Sequence, residues 1–387
     1  MYPLFNNFTT YINQGNSIFM HSRKLNRFDV FNHESIIFFD KFDGSKSISE
    51  IVADISENYS VSSSLIEADC MALCAFLSNR GYISISDTPA ATDHKAMEFA
   101  HEVCNVRSVF ADIELTRKCN LSCVYCYANS SVKSPDDIPL NRWKDILLTM
   151  KCNGLRAIKI SGGEPTLHHS FSEIISWCSS EFITSINTNG TTIDCSAADF
   201  LSTLDLQEIQ ISIDSTSPTH HDRVRGAGTW QRALDAAKLI SERGIPLRIS
   251  ATIMDDNAHE IDGLRRLATT LGAELNLESL KPVGRAEKSS ISATDTLSSC
   301  ISPPNHGIEY LEVKCQASLG MVALTCDGKL KPCNLTKAFF KRRDANVLSE
   351  IGSEFAYHKS NTFIEIEKSC SSVKQKDEGK CIFTKTR

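Results

Sequence analysis

The sequence predicts an α/β protein built on a parallel sheet, with a small mixed unit before it and a cysteine-rich segment after it. Three observations carry this. Strand and helix signals alternate six times between residues 108 and 282, a density that parallel strands with right-handed crossovers accommodate. A separate set of short strand and helix signals fills residues 1–90. Beyond residue 283 regular periodicity fades while cysteines return. At 387 residues the chain is also too long for one ordinary core.

Composition narrows the function classes. Hydrophobic content of 41% and charge of 23% are those of a globular chain. No apolar run reaches the roughly 18 residues needed to cross a bilayer, so no membrane partner is expected. A net charge of −6 gives no reason to expect nucleic acid. The stretch Met1–Asn7 lacks the basic start and apolar core of a signal peptide, and a cytoplasmic location is the expectation. In that compartment thiols stay reduced, and clustered cysteines bind metal or do redox chemistry more often than they pair. Of the 15 cysteines, three crowd into Cys119, Cys123 and Cys126, and six lie after residue 299. The others (Cys70, Cys74, Cys104, Cys152, Cys178, Cys195) read as ordinary. Cys70 and Cys74, four apart in an apolar helical pattern, read as core packing.

In the first unit, Ser17–Met20 and Phe28–Phe31 read as strands rich in aromatic and β-branched residues. Helices follow near 33–42, 47–58 and 63–80, and Gly81 with Tyr82–Ile85 reads as a helix stop and a strand. Ser47 and Glu50 have capping-box spacing. A small sheet with three helices is a winged-helix-like arrangement. Residues 91–107 read as a linker. In the central region the strands are Ala111–Thr116, Ala157–Ser161, Ile183–Thr188, Glu208–Ile213, Leu247–Ile253 and Glu274–Leu280. The clearest helices are Trp230–Arg243 and His259–Leu271. The sheet can be an open doubly wound layer or a partial barrel, and in both the chemistry collects at the carboxyl ends of the strands.

The motifs fall at those ends. After the first strand comes Cys119-Asn120-Leu121-Ser122-Cys123-Val124-Tyr125-Cys126. Three thiolates can ligate three irons of a [4Fe–4S] cubane that normally takes four cysteines, leaving one iron open, as catalytic metal sites require. Zinc or incidental thiols are the alternatives, but zinc favours CxxC pairs. The run resembles the CxxxCxΦC signature of the radical S-adenosylmethionine (SAM) superfamily, with Tyr125 at the aromatic position beside the adenine. The resemblance extends over residues 108–282 and implies a partial (β/α)6 barrel. It also implies SAM chelated to the open iron and cleaved by one electron to a 5′-deoxyadenosyl radical that takes hydrogen from substrate. An electron donor such as flavodoxin or ferredoxin is implied with it.

Further stretches resemble the family in order. Ser161-Gly162-Gly163-Glu164-Pro165-Thr166 resembles its GGEP motif: the glycines let backbone approach a ligand, and Glu164 would pair with the SAM ammonium. A glycine-rich turn is the plainer reading. Asn187-Thr188-Asn189-Gly190 resembles the TNG turn and brings Asn189 to the pocket. Gln210–Asp214 supplies Ser212 and Asp214 near the SAM ribose. His221-Asp222-Arg223-Val224-Arg225-Gly226 resembles the HDxxRG stretch of peptide and protein maturases, which makes Arg225 a candidate for the SAM carboxylate; a solvated charge cluster is the alternative.

The two ends resemble those of peptide maturases. Lys281–Ala286 resembles the lead into a SPASM or Twitch extension, and Cys315 followed by Gly328 and Cys333 matches its opening. The compact cysteine run of a full SPASM pattern is thinned to Cys370 and Cys381, so one auxiliary [4Fe–4S] cluster is expected rather than two. Its ligands would be Cys315, Cys333 and Cys381, with Cys326 or Cys370 completing the set and Cys300 weaker. Asp43–Ile51 resembles the recognition domain of maturases of ribosomally made peptides, which adds a leader peptide as a strand to a sheet edge. A winged-helix nucleic-acid module is disfavoured, because Lys and Arg are sparse between 28 and 90. The resemblance thus implies a leader-recognition domain (1–90), a linker (91–107), a radical SAM barrel (108–282) and an auxiliary-cluster extension (283–387). The implied activity is hydrogen abstraction from a precursor peptide to install a side-chain crosslink. An anaerobic sulfatase-maturase-like enzyme and a non-catalytic iron–sulfur sensor are the rivals.

Overall fold

In a computed structural model of the chain, the described residues are 1–90, 108–289 and 320–331, apart from positions 7, 14–16, 23, 33–34, 60, 134–136, 153, 282 and 329. They fall into two compact units, one up to residue 90 and one from residue 108 onward.

The first unit runs β1 (Tyr2–Phe5), β2 (Thr10–Asn13), β3 (Ser17–Ser22), β4 (Arg27–Asn32), α1 (Ile36–Phe39), α2 (Ile48–Tyr59), α3 (Ser63–Asn79) and β5 (Ile83–Ser86). β2, β3 and β4 form an antiparallel sheet in that order, and β1 pairs antiparallel with β5. β1 and β2 carry too few residues to give a periodicity signal and were not expected. The helix expected over 33–42 shrinks to one turn, because Ile36-Ile37-Phe38-Phe39 is apolar on every side and offers no polar face to extend. The chain then turns at Gly44 (φ +78°), where a Cβ would sit 2.8 Å from that of Ala90. The capping box forms: Ser47 N donates to Glu50 Oε2 at 2.8 Å, and Glu50 N donates to Ser47 Oγ at 3.3 Å. Ile48, Ile51, Val52 and Ile55 bury the face of α2 that the pattern foretold, and Cys70 and Cys74 are buried in α3 as core thiols.

The second unit begins β6 (Ser108–Thr116), α4 (Leu140–Cys152), β7 (Ala157–Gly162), α5 (Phe171–Glu181), β8 (Ile183–Thr188), α6 (Cys195–Ser202) and β9 (Glu208–Ser212). It continues through α7 (Pro218–Arg225), α8 (Thr229–Glu242), β10 (Leu247–Ile253), α9 (Ile261–Thr270) and β11 (Glu274–Ser279) to a hairpin, β12 (Gly320–Leu324) and β13 (Leu330–Lys331). All six expected strands are present, within a residue or so except at the start of the first. The sheet order is β11-β10-β9-β8-β7-β6-β12-β13, parallel throughout except for β13. From β6 to β11 each new strand adds beside the last without reversing. A doubly wound sheet reverses at a switch point, so the order selects the partial barrel. β12 adds parallel on the far side of β6; this stretch, expected in the extension, continues the barrel sheet.

Strand alternation sorts the two faces. Ala111, Ile113 and Leu115 of β6, Ile158 and Ile160 of β7 and Ile209 and Ile211 of β9 join Trp143, Ile146 and Leu147 of α4 in the main core. The alternate positions are polar: Asp112, Glu114, Lys159, Ser161, Gln210 and Ser250. Ile209 lies fully buried in a central strand. Ile209→Ala should therefore destabilise the barrel by about 2–5 kcal/mol, checked as a lowered urea midpoint of the intact chain.

Candidate functional site

The three cysteines sit on the loop that leaves β6. Cys119 is buried, Cys123 and Cys126 are partly exposed, and none is in a disulfide. Cys126 N donates to Cys123 O at 3.2 Å, and Cys119 N donates to Ser131 O at 3.2 Å. Leu121 N reaches Cys119 Sγ at 3.4 Å, and Asn189 Nδ2 stands 4.0 Å from the same sulfur. Burial pushes the Cys119 thiol up to about 11. Such a thiol stays protonated until a metal displaces the proton. Among the described residues no three Cys, His, Asp or Glu side chains converge on a single metal ion. A cubane asks for something different, since each thiolate meets a different iron and the sulfurs stand apart.

The turn after β7 is pressed onto the base of this loop. Gly163 N donates to Thr116 O at 2.6 Å, and Glu164 N donates to Lys118 O at 2.8 Å. A Cβ on Gly162 (φ +142°) would lie 2.3 Å from Thr116 O, and one on Gly163 would lie 2.3 Å from Lys118 O. No side chain fits at either position. The resemblance implies that these glycines let backbone approach a ligand; in the structure they also let the turn close on the backbone of Thr116 and Lys118.

Glu164 is fully buried. Its Oε1 accepts from Thr166 N (3.3 Å), Thr166 Oγ1 (2.7 Å) and Thr188 Oγ1 (2.7 Å), and Oε2 accepts from Asn189 N at 2.8 Å. Burial pushes its carboxyl above the ordinary value while these bonds hold it back. The carboxylate thereby ties the β7 turn to the β8 turn. Asn189 Nδ2 then reaches Asn120 Oδ1 at 3.0 Å, which joins both turns to the cysteine loop.

Asp214, just past β9, is a second heavily bonded acid of the site. Arg225 Nε donates to its Oδ2 at 2.6 Å and Arg225 Nη2 to its Oδ1 at 3.1 Å, while Thr252 N donates to Oδ1 at 3.0 Å. The Tyr125 hydroxyl donates to it as well, and the Arg225 guanidinium lies 5.4 Å from the Tyr125 ring centroid. Burial alone would raise the Asp214 carboxyl, but Arg225 beside it holds it below the ordinary range. Asp214 and Arg225, assigned separately to ribose and carboxylate, are thus an ion pair. His221 Nδ1 accepts from Asp214 N at 3.2 Å, and burial, then Arg225, pushes its pKa down to about 4. Ser212 ends β9, opposite Ser250 of β10.

Sequence reasoning passed over several groups that hold this arrangement. Asn257 Nδ2 donates to Asp214 O at 2.8 Å and Thr252 O at 3.0 Å. Asp222 takes Gly228 N and Trp230 N at 2.6 and 2.8 Å, so the acid of the HDxxRG stretch orders the start of α8. Only the Asx and helix-start propensities of these residues hint at such roles.

Of the expected auxiliary ligands, Cys315, Cys333, Cys370 and Cys381, and the weaker Cys300, lie outside the described residues. Cys326 follows β12, buried, with its carbonyl accepting from Ile138 N at 3.1 Å. Burial, with Glu114 next, pushes its thiol up to about 11. Among the described residues no helix is long and apolar enough to cross a membrane.

Residues 113–268, within the barrel, match the model of the radical SAM superfamily. The chain is 32% identical over 174 residues to the mycofactocin maturase MftC of Mycolicibacterium smegmatis, covering 44% of each. It is 33% identical over 164 residues to the sporulation killing factor maturation protein SkfB of Bacillus subtilis, covering 42% of this chain and 40% of that one. The matches therefore span under half the length of these relatives. Among solved structures, SuiB of Streptococcus suis superposes with a TM-score of 0.59 at 15% identity, over 98% of this chain and 96% of that one. That similarity is one of fold. The family carries SAM and a [4Fe–4S] cluster. This site fits them: three unpaired thiols share one loop, and that loop is seated on glycines that admit no Cβ.

Two outcomes follow from the Asp214 network. Asp214→Ala strands a buried guanidinium and should lower stability by about 3–5 kcal/mol, read by chemical denaturation. His221 is neutral in the fold, so its contribution is complete above its ordinary value near 6.5 and is lost as pH falls through about 4. At 1.36 kcal/mol per unit the loss approaches about 3 kcal/mol. Denaturation midpoints between pH 7 and 4 should fall, and His221→Gln should flatten the slope.

Proposed function

We propose that this chain is a radical SAM maturase that modifies a ribosomally made precursor peptide. One observation carries the reading: a three-cysteine loop locked onto the Gly162–Gly163 turn at the carboxyl ends of the strands, in a segment akin to named maturases. The fold neighbour SuiB, solved with its precursor peptide SuiA, supports the substrate class.

In this reading Cys119, Cys123 and Cys126 hold the cluster through three irons. When bound, cluster and SAM supply a 5′-deoxyadenosyl radical able to take hydrogen from carbon. The chain's own residues place and shield. Tyr125, adjacent to Cys126, offers the aromatic face for the adenine, with its hydroxyl anchored on Asp214. Arg225 spends Nε and Nη2 on Asp214, which leaves Nη1 for the SAM carboxylate. Glu164 has given Oε1 to three donors and Oε2 to Asn189 N, so the second lone pair of Oε2 would receive the ammonium. Ser212 and Asn189 border the same end of the sheet. Asp214 acts through Tyr125 and Arg225, as the group that fixes both.

The leader would dock on residues 1–90, where β2 and β4 each pair on one side only among the described residues. The core of the peptide would enter the barrel mouth and receive a side-chain crosslink. Cys315, Cys333, Cys381 and a fourth cysteine would hold one auxiliary [4Fe–4S] cluster, which would supply an electron acceptor or a ligation point for the substrate. Cys326 or Cys370 would be the fourth ligand. A flavodoxin or ferredoxin in the cytoplasm would supply the reducing electron.

The test uses reconstituted full-length protein under anaerobic reduction. The chain should cleave SAM to 5′-deoxyadenosine, and replacing Cys119, Cys123 and Cys126 together by Ala should reduce the product to background. That variant should keep about four irons from the auxiliary cluster, counted by iron analysis and Mössbauer spectroscopy. Continued cleavage by the triple variant would overturn the reading.

A further inference from the structure

We infer that Arg285 is the positioning residue of the cysteine loop, its guanidinium fork holding the carbonyls that set where Cys123 and Cys126 stand. The inference rests on the reading of that loop as the cluster site and concerns a residue to which sequence and resemblance gave no role beyond its place after the last barrel strand.

Arg285 lies far from the loop in sequence but makes three contacts with it. Its Nε donates to Cys123 O at 2.7 Å, its Nη1 to Ser130 O at 2.8 Å and its backbone N to Cys126 O at 3.0 Å. The approach depends on Gly284, whose φ is +66° and whose Cβ position would lie 2.4 Å from Cys126 O and 2.5 Å from Tyr127 O. The strap is itself anchored. Leu280 N donates to Ile253 O at 3.3 Å, and Leu280 and Ala286 are buried with Val224 and Met254 against Val124 and Tyr125.

The carbonyls concerned lie in a loop with no helix or sheet ladder to receive them. Bonds from a cation are the stronger kind, and only a planar fork spans two carbonyls seven residues apart in fixed geometry. A lysine would serve one of them as a point charge. Arg285 therefore holds the main chain on either side of Cys126 before any metal arrives. Groups that orient metal ligands from behind are worth about 10–100-fold in metal affinity. Its fixed positive charge, one peptide carbonyl away from Cys123, also favours the more negative, reduced state of a bound cluster.

The experiment compares full-length wild type, Arg285→Lys and Arg285→Gln after reconstitution. Iron assigned to the loop is the part lost when Cys119, Cys123 and Cys126 are replaced together. Both Arg285 variants should release that iron to a chelator about 10–100-fold more readily. The midpoint potential of the SAM-binding cluster, followed by EPR, should fall in Arg285→Gln and stay near wild type in Arg285→Lys. Thermal melting reports the fold separately. Should the Gln variant not fold, the Lys variant decides by iron retention alone. Wild-type retention in Arg285→Lys, or an unmoved potential in a folded Arg285→Gln, overturns the inference. If wild type carries no iron that the triple cysteine variant loses, the cluster reading itself fails instead.

Discussion

Everything at the carboxyl end of this barrel is built around the contact between two pieces of backbone, the Gly162–Gly163 turn and the peptide from Thr116 to Lys118. With hydrogens in place of side chains, the turn closes to hydrogen-bonding distance and fixes where the cysteine loop begins. A methyl group on either glycine would overlap a carbonyl oxygen. Glu164, the next residue, carries the constraint onward through Thr188 and Asn189 to the third strand. Three strand ends are thus tied by one turn and one buried carboxylate, and the thiols inherit their positions from that frame.

A second frame meets the loop from the other side. Asp214 gathers Arg225, Tyr125 and the backbone of Thr252, so the fourth and fifth strands, α7 and the aromatic residue of the cysteine run converge on one carboxylate. Removing either charge of such a buried pair leaves the other without water or partner. The pairing also explains how a sheet with a polar inner face tolerates charge: Arg248 likewise lies between Glu208 and Glu274, at 2.8 and 2.7 Å. Where acids and bases alternate across neighbouring strands, the lumen stays polar without an isolated charge.

Much of the fold was legible because its signals are local. Strand alternation, helix periodicity and the Ser47–Glu50 cap depend on residues a few positions apart, and apart from the shortened helix at 33–42 and the earlier start of β6 they appear where the pattern put them. The β12–β13 hairpin was missed because Met321–Leu324 is a short apolar run, which periodicity cannot distinguish from other buried segments. Periodicity alone could not choose between barrel and doubly wound sheet, since both present the same alternating signals and differ only in the spatial order of strands; the resemblance of the motifs chose the barrel.

The sequence by itself determined the chemical inventory: three cysteines at Cx3Cx2C spacing, a Gly-Gly-Glu turn, and acids and amides at the ends of successive strands. These follow from residue type and spacing, which covalent order fixes. Tertiary structure alone decided what those groups touch. Glu164 and Asp214 look like free carboxylates in the sequence, but folding brings Thr188, Asn189, Arg225 and Tyr125 to them from 11 to 89 residues away. Arg285 looks like an ordinary linker cation until its strap returns over 162 residues to the carbonyl of Cys123. Partners so distant in sequence meet only when strands have paired and the core has closed, because hydrogen bonds depend on where atoms end and not on their order in the chain.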